Sequence, residues 1–396
     1  MVTSASVAFA TGFFLWQRLE AGLVVALAVG VGVALCSLRP PQRPTRVAVI
    51  GRQHAVVALI QELDINGVGA YTTVGWIATD AHADPEFPRP EALGVIGHLA
   101  SIVRRHHIDL LLLASDVPRL AVFDELVTSG KEFSVRVCEL TAFYEDLFGH
   151  IPVAEINSTW FQYIMHPRFR ATPSPTKRVF DLVVATLLGI AVLPLMLLAA
   201  LLIKLDGGPV LYRQTRIGEK GRPFAMYKLR TMRQSNDDHV QRWCEVSDPR
   251  VTRVGRVLRR LHVDELPQLY NVLRGEMSVV GPRPEQSDIS ERLEAQLAFY
   301  SRRHLIRPGL TGWAQVRCGY AGSERGSAWK LSHDLYYLKH QSLAYDVLIL
   351  ARTLAIVASR RHAGQLRDAP FVTRSLESVD HERESPAMVP SESVAL

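Results

Sequence analysis

The sequence predicts a membrane-associated α/β protein in four parts. These are an N-terminal membrane anchor, a Rossmann-like βαβ domain, a re-entrant membrane helix, and a mostly helical α+β domain on the cytosolic side. Three observations predict it. Residues 21–38 and 182–203 are uncharged apolar runs, close to the ~17–25 residues that a bilayer-crossing helix needs. Strand-like and helix-like segments alternate between them, and a strongly basic stretch follows the second. Composition agrees: 396 residues give room for two or three domains, and 48% are hydrophobic with a net charge of +6. That balance suits nucleic acid, an anionic membrane surface or anionic substrates. Cys36, Cys138, Cys244 and Cys318 lie far apart with no CxxC pair, which argues against a zinc site or a disulfide framework and for reduced, cytosol-facing thiols.

The first run is read as one anchor, or two if the shorter apolar stretch at 5–16 also inserts. A signal peptide would need a basic start, and residues 1–10 hold no Lys or Arg. Arg39, Arg43 and Arg46 follow the longer run, so the positive-inside rule places the next domain in the cytosol. In that domain RVAVIG (46–51), VGWIATD (74–80), DLLLLASD (109–116) and SVRVCEL (134–140) read as buried parallel strands. Segments 54–63, 98–107 and 120–131 read as the helices between them. The first strand is followed by Gly51-Arg52-Gln53-His54, one glycine where a pyrophosphate-binding turn uses three. A structural or regulatory domain is therefore expected rather than a nicotinamide site. Residues 144–156 read as the connector leaving it.

The second run has Lys177 and Arg178 before it and Lys204, Arg213 and Arg216 after it. Charge asymmetry gives it no direction, and Pro194 in its middle removes a helix hydrogen bond and favours a kink. A kinked hairpin dipping into one leaflet, with both ends in the cytosol, is the expected form; an ordinary transmembrane helix is the other reading.

Beyond it, Tyr212–Gly218 and Phe224–Met232 look like two strands joined by a turn at Gly218 and Gly221, with Lys228 and Arg230 on one face. Taken by themselves they are better explained as a solvated basic strand. Next come Arg250, Arg253, Arg256, Arg259 and Arg260, then the acidic pair Asp264-Glu265, then Pro282-Arg283-Pro284. Arginine forks grip phosphate oxygens, and adjacent carboxylates can supply a nucleophile and a Mg²⁺ ligand. Pro267 belongs in the first turn of a helix, which places Asp264 near its N-cap. Spacing alone favours helix capping over catalysis, and the flanking arginines with the Pro-Arg-Pro motif bring the two readings level.

In order along the chain stand KRVFD (177–181), RIGEKGRPF (216–224), YKLRTM (227–232), DPRVTRVGRVLRR (248–260), DELPQLYNVLRGEMSVVGPRP (264–284), RPGLTGWAQV (307–316) and DLYYLKHQSLAYD (334–346). With these motifs the chain resembles the bacterial sugar transferases, the polyprenol phosphate phosphoglycosyltransferases of the single-leaflet class. It is similar to their long members, which start exopolysaccharide or O-antigen repeat units. The resemblance implies transfer of a sugar 1-phosphate from a UDP-sugar to undecaprenyl phosphate, with release of UMP. By residue-to-residue carry-over, Asp264 is the nucleophile that forms a covalent phosphosugar intermediate, and Glu265 holds Mg²⁺. Arg283, Lys228 and Arg259 contact phosphates, and Pro194 is the kink of the re-entrant helix. The implied location is the bacterial inner membrane, with the catalytic domain on the cytoplasmic face. The implied partners are the UDP-sugar, the lipid acceptor and the membrane. Nucleic acid is not expected, and a homo-oligomer is compatible with the sequence.

Two departures stand out. Long members commonly carry about four N-terminal membrane helices, where this chain has room for one or two. His262 precedes the acidic pair where Ser or Thr is common, and is read as a local variation rather than a general base. The expected parts are an anchor (1–45), a Rossmann-like domain (46–153), a linker (154–176), a re-entrant helix (177–205), a catalytic domain (206–362) and a disordered, Ser/Glu-rich tail (363–396). Segment 307–313 is expected either to line the donor pocket or to pack as a rigid loop. The helix over 345–360 is expected on the membrane surface or in the core. A non-catalytic scaffold for polysaccharide assembly is the rival reading, and the intact acidic pair and Pro-Arg-Pro motif count against it.

Overall fold

The computed structural model describes residues 43–359, except 80–90, 116, 129–133, 157–159, 161, 163–174, 206, 234–247, 249 and 319–323. The expected membrane run at 21–38 and the expected tail at 363–396 lie outside the described residues, as does most of the expected linker.

The first unit contains β1 (Thr45–Ile50), α1 (Gln53–Ile65), β2 (Tyr71–Ala78), β3 (Ala92–Val95), α2 (Leu99–Arg105), β4 (Leu110–Leu113), α3 (Arg119–Thr128), β5 (Arg136–Glu139) and α4 (Leu140–Phe148). All five strands are parallel, in the order β3-β2-β1-β4-β5, which is the doubly wound arrangement. Val47 to Ile50 and Leu110 to Leu113 form its buried centre, and their unbroken aliphatic runs are what a strand covered on both faces requires. One strand escaped the sequence pattern. β3 is a four-residue edge strand, only partly buried and interrupted by Gly94, so it offers neither a long apolar run nor a clean alternation.

The expected connector at 144–156 begins as helix, because α4 continues to Phe148. Gly149 ends it in the left-handed conformation, φ +70°, with its N–H bonded to the carbonyls of Tyr144 and Glu145, a glycine C-terminal stop. Its own carbonyl accepts from Trp313 Nε1 at 2.7 Å, and a Cβ there would stand 3.3 Å from the indole. Ile151 and Trp160 then join the core of the second unit.

That unit opens with α5 (Pro175–Leu205), the one described helix long and apolar enough to cross a membrane. Pro194, the expected kink, lies inside α5, which is helical on both sides of it. The proline deletes one N–H donor, while the bonds of adjacent turns persist. After α5 come β6 (Leu211–Ile217) and β7 (Pro223–Leu229), an antiparallel hairpin, and α6 (Arg253–Arg260). A 3-10 turn (Val263–Glu265) precedes α7 (Gln268–Arg274), β8 (Ser278–Val280) and α8 (Ser287–Gln296). A second 3-10 segment (Tyr300–Leu305), β9 (Gly309–Thr311), α9 (Trp313–Arg317), α10 (Glu324–His340) and α11 (Leu343–Ser359) complete it.

Both ends of α5 are held by this same unit. At its start, Lys177 Nζ lies 3.1 Å from Asp181 and 2.9 Å from Asp346 of α11. Asp181 also accepts from Ser278 Oγ and the Val279 amide, and Arg178 donates to the last carbonyls of α7 at 2.6 and 2.8 Å. At its end, Ala199 and Ile203 pack on Leu229, Leu258 and Val263, and Arg230 donates to the carbonyls of Ile203 and Gly207. Between these ends Leu187, Ile190, Leu193, Leu197 and Leu198 are exposed.

Candidate active site

The acidic pair is presented by a tight reversal of the chain. Thr252 caps α6, its Oγ1 accepting the Gly255 amide at 2.9 Å, as a threonine N-cap does. Gly255 lies so close to Thr231 that a Cβ would come within 2.1 Å of its carbonyl oxygen. After α6, His262 takes φ +56°, a conformation that histidine tolerates better than β-branched residues do. The next three residues form the 3-10 turn that carries Asp264 and Glu265. This corrects the capping expectation: Pro267 holds the N-cap position of α7, without a side-chain cap, and Asp264 lies upstream of it.

The two carboxylates have opposite surroundings. Glu265 Oε1 is 2.9 Å from Lys228 Nζ and 2.5 Å from Arg283 Nη2, and Oε2 accepts from Arg283 Nη1 at 3.3 Å. Burial opposes ionisation of Glu265, but the charges and hydrogen bonds of Arg283 and Lys228 outweigh it and hold the carboxyl well below its usual range. Burial likewise pushes Lys228 down, with Glu265 opposing the shift. Asp264 is 8% exposed, and among the described residues no side chain donates a hydrogen bond to it. Burial and the neighbouring Glu265 charge raise its pKa, against the pull of Lys228 and Arg259. Glu265 is thus engaged by two cations, whereas Asp264 lies buried beside them with no donor from a described side chain.

The hairpin β6–β7 supplies Lys228, and it places Arg216 close to the same cluster. Arg216 donates to Gln214 Oε1 at 2.7 Å and to the Pro284 carbonyl at 3.2 Å. Burial lowers its pKa to about 10, with the charges of Glu285, Arg283 and Glu265 also acting on it. Arg259 donates to Thr231 Oγ1 at 2.9 Å and acts on Asp264 through its charge. Arg230, expected on the face of Lys228, instead turns to the end of α5. Pro194 belongs to α5 and takes no part in these ion pairs.

Arg283 sits on a loop locked by close backbone approach. Gly281 donates to the Thr311 carbonyl and Gly309 to the Pro282 carbonyl, at 2.9 and 2.8 Å. A Cβ on Gly309 would come within 2.1 Å of the Gly281 nitrogen. Segment 307–313 thus packs closely behind Arg283. Arg216, Arg303 and Asp334 join the site or its support without having been singled out in the sequence. RIGEKGRPF signalled the first of these and DLYYLKHQSLAYD opens with Asp334; nothing local signals Arg303, which lies far along the chain.

The chemistry of this arrangement is that of phosphate handling: four cationic side chains lie around two carboxylates, and one of the two takes no hydrogen bond from a described side chain. Comparison with known proteins points the same way. The family model described as "Bacterial sugar transferase" matches residues 172–360. The chain is 43% identical over 235 residues to the UDP-glucose:undecaprenyl-phosphate glucose-1-phosphate transferase of Caulobacter vibrioides, covering 57% of this chain and 88% of that protein. It is 45% identical over 190 residues to the UDP-N-acetylgalactosamine-undecaprenyl-phosphate N-acetylgalactosaminephosphotransferase of Aeromonas hydrophila, covering 47% of this chain but only 45% of that protein. A UDP-glucose:undecaprenyl-phosphate glucose-1-phosphate transferase of Klebsiella pneumoniae is 28% identical over 359 residues, covering 87% of this chain and 75% of the relative.

Proposed function

Since the chain belongs to the bacterial sugar transferase family, we propose that it transfers a sugar 1-phosphate from a UDP-sugar to undecaprenyl phosphate, as the first membrane step of exopolysaccharide, capsule or O-antigen synthesis. The observation that carries the mechanism is the contrast within the pair: Asp264 with no donor from a described side chain, Glu265 bound by two cations. The Asp264 carboxylate attacks the sugar-bearing phosphorus, and the bond to the bridging oxygen breaks. UMP leaves with that oxygen and its electron pair. An oxygen of undecaprenyl phosphate then attacks the same phosphorus. The bond to Asp264 breaks, its carboxylate returns, and a polyprenol diphosphate sugar is the product. Dividing the transfer lets a water-soluble donor and a lipid acceptor use one site in turn.

The cations make the first step feasible, because an anion must approach a negatively charged diphosphate. Arg283, Lys228 and Arg259 are the proposed phosphate contacts, and Arg216 adds charge behind them. Magnesium suits hard carboxylate oxygens and commonly binds through one or two of them together with substrate phosphates. Among the described residues no three His, Cys, Asp or Glu side chains converge. The residues therefore fit an ion held by Glu265 and the donor phosphates, with Lys228 and Arg283 turning from Glu265 to the phosphates. When bound, the ion would neutralise charge on the diphosphate and on departing UMP.

The membrane placement rests on α5. A helix of 31 residues is about 46 Å long at 1.5 Å per residue, well beyond a ~30 Å hydrocarbon core. Its exposed side chains are mostly apolar, yet both ends are fixed to one unit that carries the charged site. This supports a helix embedded from one face, with the site at the cytoplasmic surface of the inner membrane.

The test is UMP release from a panel of UDP-sugars, with undecaprenyl phosphate in vesicles and Mg²⁺. Release with one preferred sugar is expected; well-folded protein releasing none would favour the scaffold reading. In the same assay, kcat/KM is expected to fall on the acid side with an apparent pKa above the ordinary 3.8 of aspartate, because burial raises Asp264 and the nucleophile must be ionised. Arg259→Met removes a lowering charge, so it should move this limb to higher pH. A limb that stays in place would mean that a group other than Asp264 titrates.

A further inference from the structure

We infer that Arg303, together with Asp334, positions Arg283 for phosphate contact while itself remaining out of reach of substrate; the inference rests on the reading of Arg283 just given. Arg303 is 3% exposed and sits in the 3-10 segment Tyr300–Leu305. Its Nη2 donates to the backbone carbonyl of Arg283 at 2.9 Å and lies 2.8 Å from Asp334. Its Nη1 donates to Tyr300 Oη at 2.7 Å and stands 3.9 Å from Glu285.

The need for such a residue follows from the loop's composition. Pro282 and Pro284 have no N–H, so two of the three residues of Pro-Arg-Pro cannot anchor themselves as donors. The loop must be held through its carbonyls instead, and each of the three has a donor: Gly309 N–H for Pro282, Arg303 for Arg283 and Arg216 for Pro284. Arg303 grips the carbonyl of the very residue whose side chain contacts Glu265. A buried guanidinium needs a counter-charge, and Asp334, 2% exposed on α10, provides it. Only a planar fork reaches Asp334, Tyr300 and the carbonyl together, which a lysine ammonium cannot reproduce.

Helix α10 extends the support to the Rossmann-like unit. On it, Ser332 Oγ bonds the Ile151 carbonyl at 2.7 Å and lies 3.0 Å from His150 Nδ1. Further along, Lys339 and His340 each contact Glu145 of α4 at 2.8 Å. The helix that carries the partner of Arg303 is thus seated on the first unit.

The test combines kinetics with amide exchange on the full chain in vesicles. Arg303→Lys keeps the charge opposite Asp334 and loses the fork; Tyr300→Phe is a milder second variant in case Arg303→Lys folds poorly. Exchange at the Gly281, Arg283 and Glu285 amides should rise severalfold in either variant while Tm changes little. In Arg303→Lys, kcat should fall at least tenfold with KM for the UDP-sugar nearly unchanged. In an Arg283→Lys background the same change should cost less than twofold, because the group being positioned is already altered. Equal losses in both backgrounds with unchanged loop exchange would overturn the inference. If wild type releases no UMP, the reaction proposed above fails, and loop exchange alone decides whether Arg303 holds the loop.

Discussion

Asp264→Asn is expected to reduce UMP release by about 10³-fold or more, the scale seen when a covalent nucleophile is removed. The amide is nearly isosteric, and no described side chain donates to the carboxylate that it replaces. The variant should therefore fold normally and still bind UDP-sugar. Intact-protein mass spectrometry supplies a second readout. Wild type incubated with donor and no lipid acceptor should gain the mass of one sugar phosphate, and Asp264→Asn should not. A variant that turns over as fast as wild type would make Asp264 a structural residue and end the covalent mechanism. Glu265→Gln is a useful contrast, since it leaves Arg283 and Lys228 without their shared anion and so should disturb the cation cluster as well as the rate.

Lys177→Met is expected to give the largest loss of stability. Lys177 lies between Asp181 and Asp346 at 3.1 and 2.9 Å, and Asp346 is completely buried. Removing the ammonium strands two carboxylates, and breaking a buried pair in this way costs about 3–5 kcal/mol. The pH dependence has a definite sign. Burial already raises the pKa of Asp346, with Lys177 opposing the rise, and loss of the lysine raises it further. A carboxyl whose folded pKa exceeds its unfolded value weighs against folding above the unfolded value, and regains stability as pH falls and it takes up a proton. The deficit of Lys177→Met relative to wild type, read as Tm, should therefore be larger at pH 8 than at pH 5. A deficit independent of pH would show that lost packing, not stranded charge, is the cause.

Much of this was legible in the sequence where the signal is local. The continuous aliphatic runs of β1 and β4 specify a buried parallel sheet, and the basic residues Lys177 and Arg178 carry the attachment of α5 at its start. What was not legible depends on long-range pairing. β3 exists because the edge of β2 was available to it, although its own four residues hold too little pattern. Asp264 read as a helix cap because Pro267 marks a helix start, but the left-handed His262 inserts a 3-10 turn that frees the carboxylate from capping. Lys228 and Arg230 share spacing but not surroundings: the strand ends between them, and the second arginine goes to the carbonyls at the end of α5. Arg303 and Asp334 are 31 positions apart by their numbers, and neither belongs to a pattern that spacing alone would reveal.

The attachment of α5 at both ends also bears on how the enzyme would meet its lipid substrate. Fastened to one unit at Lys177 and again at Ile203, the helix lets neither side of that unit swing away from the bilayer. In the placement proposed above, the site would keep a fixed height, and the acceptor would reach it by lateral diffusion within the leaflet rather than by extraction into water. Velocity should accordingly depend on the mole fraction of undecaprenyl phosphate in the vesicle. Diluting vesicles and enzyme together with buffer, at constant lipid composition and saturating donor, should leave turnover per enzyme unchanged, whereas diluting the acceptor with inert phospholipid should slow it.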